Sequence, residues 1–276
     1  LAHSADLHKV EILSDIVYAK PGDRALMINL HMPQGIEQPP LILFIHGGGW
    51  KGGDRTRCKL AWVAAHGYAI ASIDYRLSQE AIFPAQIHDC KGALRWLRAH
   101  QEEYQYDASR IVVAGTSAGG HLAALMATSG GVKELEGDTA GHRDQSARVQ
   151  GALDYYGPTD FIMRSTNQPA KTEDPKGSVY KLLGGPVKEN QELARLASPV
   201  THITDDDPPL LILHGKKDTT VYLPQSERIK QIYDERGLNA QLLIEPKKWH
   251  GWNEPSSAEQ NAVLQFLREF LVEKKL

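Results

Sequence analysis

Five consecutive apolar side chains, Leu41-Ile42-Leu43-Phe44-Ile45, are followed after one histidine by three glycines, Gly47 to Gly49. Neighbouring side chains of a strand point to opposite faces, so a strand without polar alternates has to be covered on both. A mostly parallel sheet with helices on each side meets that demand, and the surrounding chain has the matching rhythm. The pattern predicts helices over 56–66 and 87–100, leading into strands over 68–73 and 110–114, then a helix from Ala118 and a strand over 149–156. A strand over 210–213, a helix over 223–235 and a strand over 240–244 continue the alternation. An amphipathic helix over 257–272, with Leu264, Leu267 and Leu271 on one face, closes it. Ahead of the apolar run, 11–18 and 25–31 read as two strands joined by the turn Lys20-Pro21-Gly22-Asp23, an antiparallel hairpin.

One segment departs from this rhythm. Residues 157–207 carry Pro158, Pro169, Pro175, Pro186 and Pro199 and predict irregular structure with short helices, an insertion suited to a lid or binding loop. No repeat or low-complexity linker divides the 276 residues, so a single α/β domain over 1–276 is expected.

Composition narrows the function classes. A formal charge of -3 with no long run of Lys or Arg argues against a nucleic-acid partner, and no apolar stretch approaches the roughly 20 residues of a membrane span. The sequence begins at Leu1 instead of Met, which leaves a cytoplasmic and a secreted location equally open; oligomeric state is open as well. Two cysteines, Cys58 and Cys90, both fall in predicted helices without metal-ligand spacing and read as buried free thiols.

The chemistry concentrates at strand ends. Gly115-Thr116-Ser117-Ala118-Gly119 is a G-x-S-x-G between an apolar strand and an Ala-rich helix. Such a turn strains the backbone of Ser117 and lifts its hydroxyl into solvent, leaving no room for side chains at 115 and 119. After the apolar run comes His46-Gly47-Gly48-Gly49-Trp50, whose backbone N–H groups at Gly48 and Gly49, with that of Ala118, suit an oxyanion hole. The spacing is not the G-x-G-x-x-G of a dinucleotide-binding turn.

A serine nucleophile needs a base and an acid to orient it, here expected later in the chain. Asp218 lies just past the strand over 210–213, at the carboxyl edge where open α/β sheets bind ligands; Asp205, Asp206 and Asp207 precede that strand and read as a solvated loop. Of twelve histidines, His250 follows the last strand and is the candidate base. His121 and His214 read as packing or hydrogen-bonding residues, and His46 as a brace for the glycine loop. Trp50, Trp252 and Tyr75 are candidates for lining the substrate pocket. This chemistry calls for no metal and no cofactor.

At these motifs the chain resembles the α/β-hydrolase superfamily and, within it, esterases similar to hormone-sensitive lipase, which share the HGGG loop and the GxSAGG elbow. Asp74-Tyr75-Arg76 matches the DYR of such enzymes, where the Asp and Arg are structural. A nearer likeness is to the bifunctional acetylxylan and feruloyl esterases, in Trp50-Lys51-Gly52-Gly53-Asp54, Phe83-Pro84-Ala85-Gln86-Ile87-His88-Asp89 and Gly115 to Leu122. The resemblance runs from about Leu41 to Trp252. It implies an α/β-hydrolase fold and a serine carboxylesterase that cleaves short-acyl or aryl (acetyl, feruloyl) esters, on small molecules or carbohydrates, through an acyl-enzyme. Hormone-sensitive-lipase relatives carry a helical N-terminal cap; here a first strand near Val10 leaves no room for one, and 157–207 is expected to roof the site instead. An arylformamidase or amidase with the same triad, and a binding protein that keeps the fold without hydrolysis, are the competing readings.

Overall fold

The computed structural model describes residues 7–272, so the single unit expected over 1–276 extends at both ends outside the described residues. The strands are β1 (Val10–Ala19), β2 (Leu26–Pro33), β3 (Pro40–Ile45), β4 (Ala69–Ile73), β5 (Asp107–Thr116), β6 (Gly151–Tyr155), β7 (Leu210–Gly215) and β8 (Ala240–Glu245). They form one sheet in the order β1-β2-β4-β3-β5-β6-β7-β8. β2 is antiparallel to both of its neighbours, β1 and β4, and every other pairing is parallel. The helices are α1 (Ala85–Ala99), α2 (Gln101–Tyr104), α3 (Ala118–Thr128), α4 (Phe161–Asn167), α5 (Pro169–Thr172), α6 (Ser178–Leu183), α7 (Gln191–Leu196), α8 (Pro224–Glu235) and α9 (Ser257–Leu267). This is an α/β-hydrolase fold, mostly parallel with an antiparallel N-terminal pair.

The apolar run is continuous because it feeds two cores. Leu41, Leu43 and Ile45 of β3 pack with Ile87 and Leu94 of α1 and Leu122 and Leu125 of α3. Ile42 and Phe44, on the other face, join Leu60, Val63 and the α9 residues Val263 and Phe266. All five strand side chains are fully buried, each contributing about 1.5–3 kcal/mol relative to an exposed position. α3 crosses the end of β3 at very close range: a Cβ at Gly119 would lie 2.0 Å from the Ile45 carbonyl oxygen.

Three sequence expectations change. The helix expected over 56–66 contracts to a 3₁₀ turn, Ala61–His66. Ahead of it, Asp54 takes the Thr56 N–H, and Arg55 is drawn away to Asp74 and Asn29, so the backbone is spent on turns. Cys58 therefore lies in a loop and is half-buried; Cys90, in α1, is buried, and both thiols are free. The closing helix ends at Leu267 and continues as a π-helical turn, Arg268–Val272, with Val263, Phe266, Leu267 and Leu271 buried and Leu264 only partly so. Segment 157–207 holds α4 to α7, four short helices. No helix among the described residues is long and apolar enough to cross a membrane.

Candidate active site

Ser117 sits between β5 and α3 at φ 55° and ψ −114°, a left-handed conformation that only the surrounding packing can hold. Its N–H donates to the Tyr155 carbonyl at 2.8 Å and its own carbonyl accepts from His121 N–H at 2.9 Å, fixing the elbow to β6 and to the helix it opens. The hydroxyl is directed to His250: Ser117 Oγ lies 2.9 Å from Nε2. On the other side of the ring, His250 Nδ1 lies 2.6 Å from Asp218 Oδ2. A carboxylate can only accept, so Nδ1 carries the proton and Nε2 is left to receive one from the serine.

Asp218 is held by the turn that follows β7. Its Oδ1 accepts the N–H groups of Thr220 and Val221 at 2.8 and 2.9 Å. Burial opposes ionisation, but hydrogen bonds from His214, His250 and the Val221 N–H outweigh it and hold the carboxyl well below its usual range. The turn is clamped from the insertion: Arg164 Nη2 and Gln168 Nε2 both donate to the Thr220 carbonyl, at 2.8 and 3.1 Å.

Opposite the serine, the glycine loop needs its composition at one point above all. Gly48 stands at φ 122°, and a Cβ there would lie 2.0 Å from the Gly52 carbonyl oxygen. Gly48, Gly49 and Ala118 line the same cavity as Ser117 and His250. Ala118 opens α3, so its N–H has no acceptor within the helix. His46 braces the loop from below through a 2.7 Å bond with the Gly47 carbonyl.

The pocket aromatics divide. Tyr75 is fully buried and is not a lining residue: it stacks on His46 with ring centroids 4.3 Å apart and donates to the His46 carbonyl, so it supports the loop from inside the core. Trp50 touches the cavity but is 1% exposed, its indole N–H donating to His121 Nδ1, which makes it chiefly a packing residue. Trp252 lines the cavity at 9% exposure and donates to Glu259. His121 and His214 are fully buried and hydrogen-bonded away from the serine, His121 to Ala197 and His214 to Val221 and Ser226. Asp205 and Asp206 pair with Arg236 and Arg148.

Sequence reading missed Tyr156, Arg164 and Gln168. Tyr156, at φ 47°, places its ring 4.7 Å from that of His250 and 4.8 Å from that of Trp252. Its position just past β6, on the carboxyl edge beside the elbow, was the available signal. Arg164 and Gln168 carried none, because they belong to the irregular insertion.

Known proteins are similar to this chain to differing extents. A truncated carbohydrate esterase from gut microbiota superposes with a TM-score of 0.84 at 26% identity, covering 98% of this chain and 99% of that one. A bifunctional GH43-CE of Bacteroides eggerthii gives 0.82 at 29% identity, covering 94% of this chain but 38% of its own. In sequence the chain is similar to Esterase LipC of Mycobacterium tuberculosis, 32% identical over 70% of this chain and 49% of that one. The probable carboxylic ester hydrolase LipM of the same organism is 31% identical over 85% and 54%. The chain thus spans about half the length of these curated relatives. The profile of one family runs from β2 into α8, over residues 28–233, and takes in the glycine loop, the elbow and Asp218, so the chain belongs to the BD-FAE family.

Proposed function

We propose that this protein is a serine carboxylesterase that cleaves short-acyl or aryl esters, acetyl and feruloyl among them, carried on sugars. The observation that carries the reading is the unbroken relay from Ser117 through His250 to Asp218, at 2.9 and 2.6 Å, on the wall of a cavity of about 770 Å³. That volume exceeds what an acetyl group needs and leaves room for a bulky alcohol. The relatives, named as esterases and carbohydrate esterases, point the same way.

The chemistry is two-step acyl transfer. His250 Nε2 takes the serine proton as Oγ bonds to the ester carbonyl carbon, and charge gathers on the carbonyl oxygen, which the N–H groups of Gly48, Gly49 and Ala118 receive. The imidazolium then protonates the departing alcohol as the ester C–O bond breaks. Water, deprotonated by the same nitrogen, bonds to the acyl carbon; the C–Oγ bond breaks, the carboxylic acid leaves and the imidazolium returns its proton to Ser117. Asp218 keeps the imidazole in the required tautomer throughout. Segment 157–207 acts as a partial roof, lending Pro158, Ala170 and Ser178 to the cavity wall.

Labelling with a fluorophosphonate probe tests the nucleophile. The wild-type protein is expected to be labelled at Ser117 and to hydrolyse 4-nitrophenyl acetate, whereas Ser117→Ala folds normally, stays unlabelled and loses about 10⁶-fold in kcat. Labelling that persists in the variant places the nucleophile elsewhere. Acetylated and feruloylated xylo-oligosaccharides test the alcohol, and their survival beside rapid cleavage of simple esters removes the sugar from the reading.

A further inference from the structure

Arg164 is 2% exposed, yet it lines the catalytic cavity and makes no ion pair among the described residues; the one acid whose charge reaches it is Asp218, already engaged by His250 and the Thr220 and Val221 N–H groups. Its Nε donates to Gln168 Oε1 at 3.1 Å and its Nη2 to the Thr220 carbonyl at 2.8 Å, both neutral acceptors, while Nη1 has no acceptor among the described residues. The other buried bases are different: Lys91 and Arg95 share the carboxylate of Glu136. A buried cation with no carboxylate in hydrogen-bond contact is costly, and burial, against the pull of the Asp218 charge, lowers the pKa of Arg164 to about 10, which still leaves it charged at neutral pH. Bracing the Asp218 turn does not require that charge, because the neutral Gln168 donates to the same Thr220 oxygen at 3.1 Å.

The surroundings repeat the pattern. Six basic side chains line the cavity, Lys51, Arg57, Lys59, Arg164, Lys171 and Lys176, against one acid, Asp174. Among the described residues, Lys59 alone of the five besides Arg164 forms an ion pair, with Glu259. Asp174 spends one carboxylate oxygen on the Lys176 N–H of its own turn. Over the whole chain acids outnumber bases, 34 to 31, so this excess is local to the site. A cleft lined by one sign of charge concentrates the opposite sign, and a guanidinium with a free edge matches a carboxylate.

We infer that the cavity selects esters that bear a carboxylate, with Arg164 receiving that group and the surrounding lysines drawing it in. The inference rests on the esterase reading and narrows its substrate class to anionic esters: acyl groups that are half-esters of dicarboxylic acids, or alcohols that are uronic acids.

Two matched pairs of substrates separate those sources. On the acyl side, 4-nitrophenyl hydrogen glutarate is compared with 4-nitrophenyl butyrate; on the alcohol side, acetylated galacturonate oligosaccharides are compared with acetylated xylo-oligosaccharides. The anionic member of at least one pair is expected to have the higher kcat/KM, and added salt is expected to erode that advantage. In Lys171→Gln, and in Arg164→Gln where it folds, the anionic-to-neutral ratio falls about tenfold, the ordinary worth of one charge-assisted hydrogen bond. Equilibrium binding of galacturonate and of glutarate to Ser117→Ala gives a readout independent of turnover. Hydrolysis of the neutral esters with no anionic preference in either pair overturns this inference alone. Failure to hydrolyse any ester overturns the esterase reading, and the selectivity then stands or falls on whether either carboxylate binds Ser117→Ala more tightly than galactose does.

Discussion

The carboxyl ends of β6 and β7 lie side by side, and each carries a buried aspartate that the fold treats in an opposite way. Asp218, beyond β7, receives two backbone N–H groups and two histidines, and is held ionised far below its ordinary range. Asp154, in β6, is fully buried with one donor, the Gly157 N–H at 2.7 Å; its Oδ2 has no partner among the described residues. Burial pushes Asp154 up to about 6, against the pull of that N–H and of His214. The lesson is that depth alone decides nothing: the number of donors turned toward a carboxylate determines whether it serves as a fixed charge or strains the fold.

Activity separates the two most widely. Asp218→Asn leaves His250 Nδ1 facing an amide that can donate to it, which favours the wrong tautomer, and kcat is expected to fall about 10⁴-fold. Asp154→Asn, outside the relay, is expected to stay within severalfold of wild type. Measuring 4-nitrophenyl acetate turnover on both variants, at wild-type secondary structure content, breaks the comparison if their losses are alike.

Stability gives the second contrast. The folded pKa of Asp154 is raised, so its contribution is fully present below the unfolded value near 4 and is lost as pH rises through about 6. At two units, that loss is about 3 kcal/mol. Urea titrations at pH 4 and pH 8 should therefore show Asp154→Asn gaining about 3 kcal/mol on wild type between the two pH values. The fixed desolvation cost of the amide cancels in that difference. His121 works against this slope: burial lowers its pKa to about 4, so its contribution is lost as pH falls from 6.5. Removing the Asp154 carboxyl unmasks that acid sensitivity, and a variant as flat as wild type between pH 4 and 6.5 would contradict the pairing.

The difference between the two aspartates also marks what a sequence can reveal. Asp218 was legible because chain order and the carboxyl edge both pointed to it, as they did to Ser117 and His250. The apolar run read correctly as a strand because burial on two faces leaves a one-dimensional signature. Asp154 left no such mark: one acid within Ala-Leu-Asp-Tyr looks the same whether its donors number one or four. Tyr75 misled for a related reason, since adjacency to a motif does not reveal which face of the chain end turns inward. The contracted helix near Thr56 failed because Arg55 binds partners that only tertiary structure supplies, while Asp54 turns its carboxylate on the Thr56 N–H. Arg164 and Gln168 were beyond reach because their role depends on an insertion folding back on the Asp218 turn.

Glu245, the last residue of β8, extends the comparison by one strand and carries the smallest expected effect. It is 8% exposed and its Oε1 accepts the hydroxyl of Ser256. The same Ser256 oxygen accepts the Glu259 N–H at 3.0 Å and so caps α9. Ser256→Ala removes both bonds while leaving Lys247 to Gly251 and the imidazole they carry unaltered. A lost cap costs about 1 kcal/mol, so a small drop in the urea midpoint with turnover near wild type is expected. Because Glu259 also accepts the Trp252 indole N–H at 2.6 Å, α9 is tied to the cavity wall, and a fraying first turn has a route to the substrate. A change in KM without a change in kcat would show that route in use, whereas a stability loss several times larger would mean that the bond to Glu245 outweighs the cap.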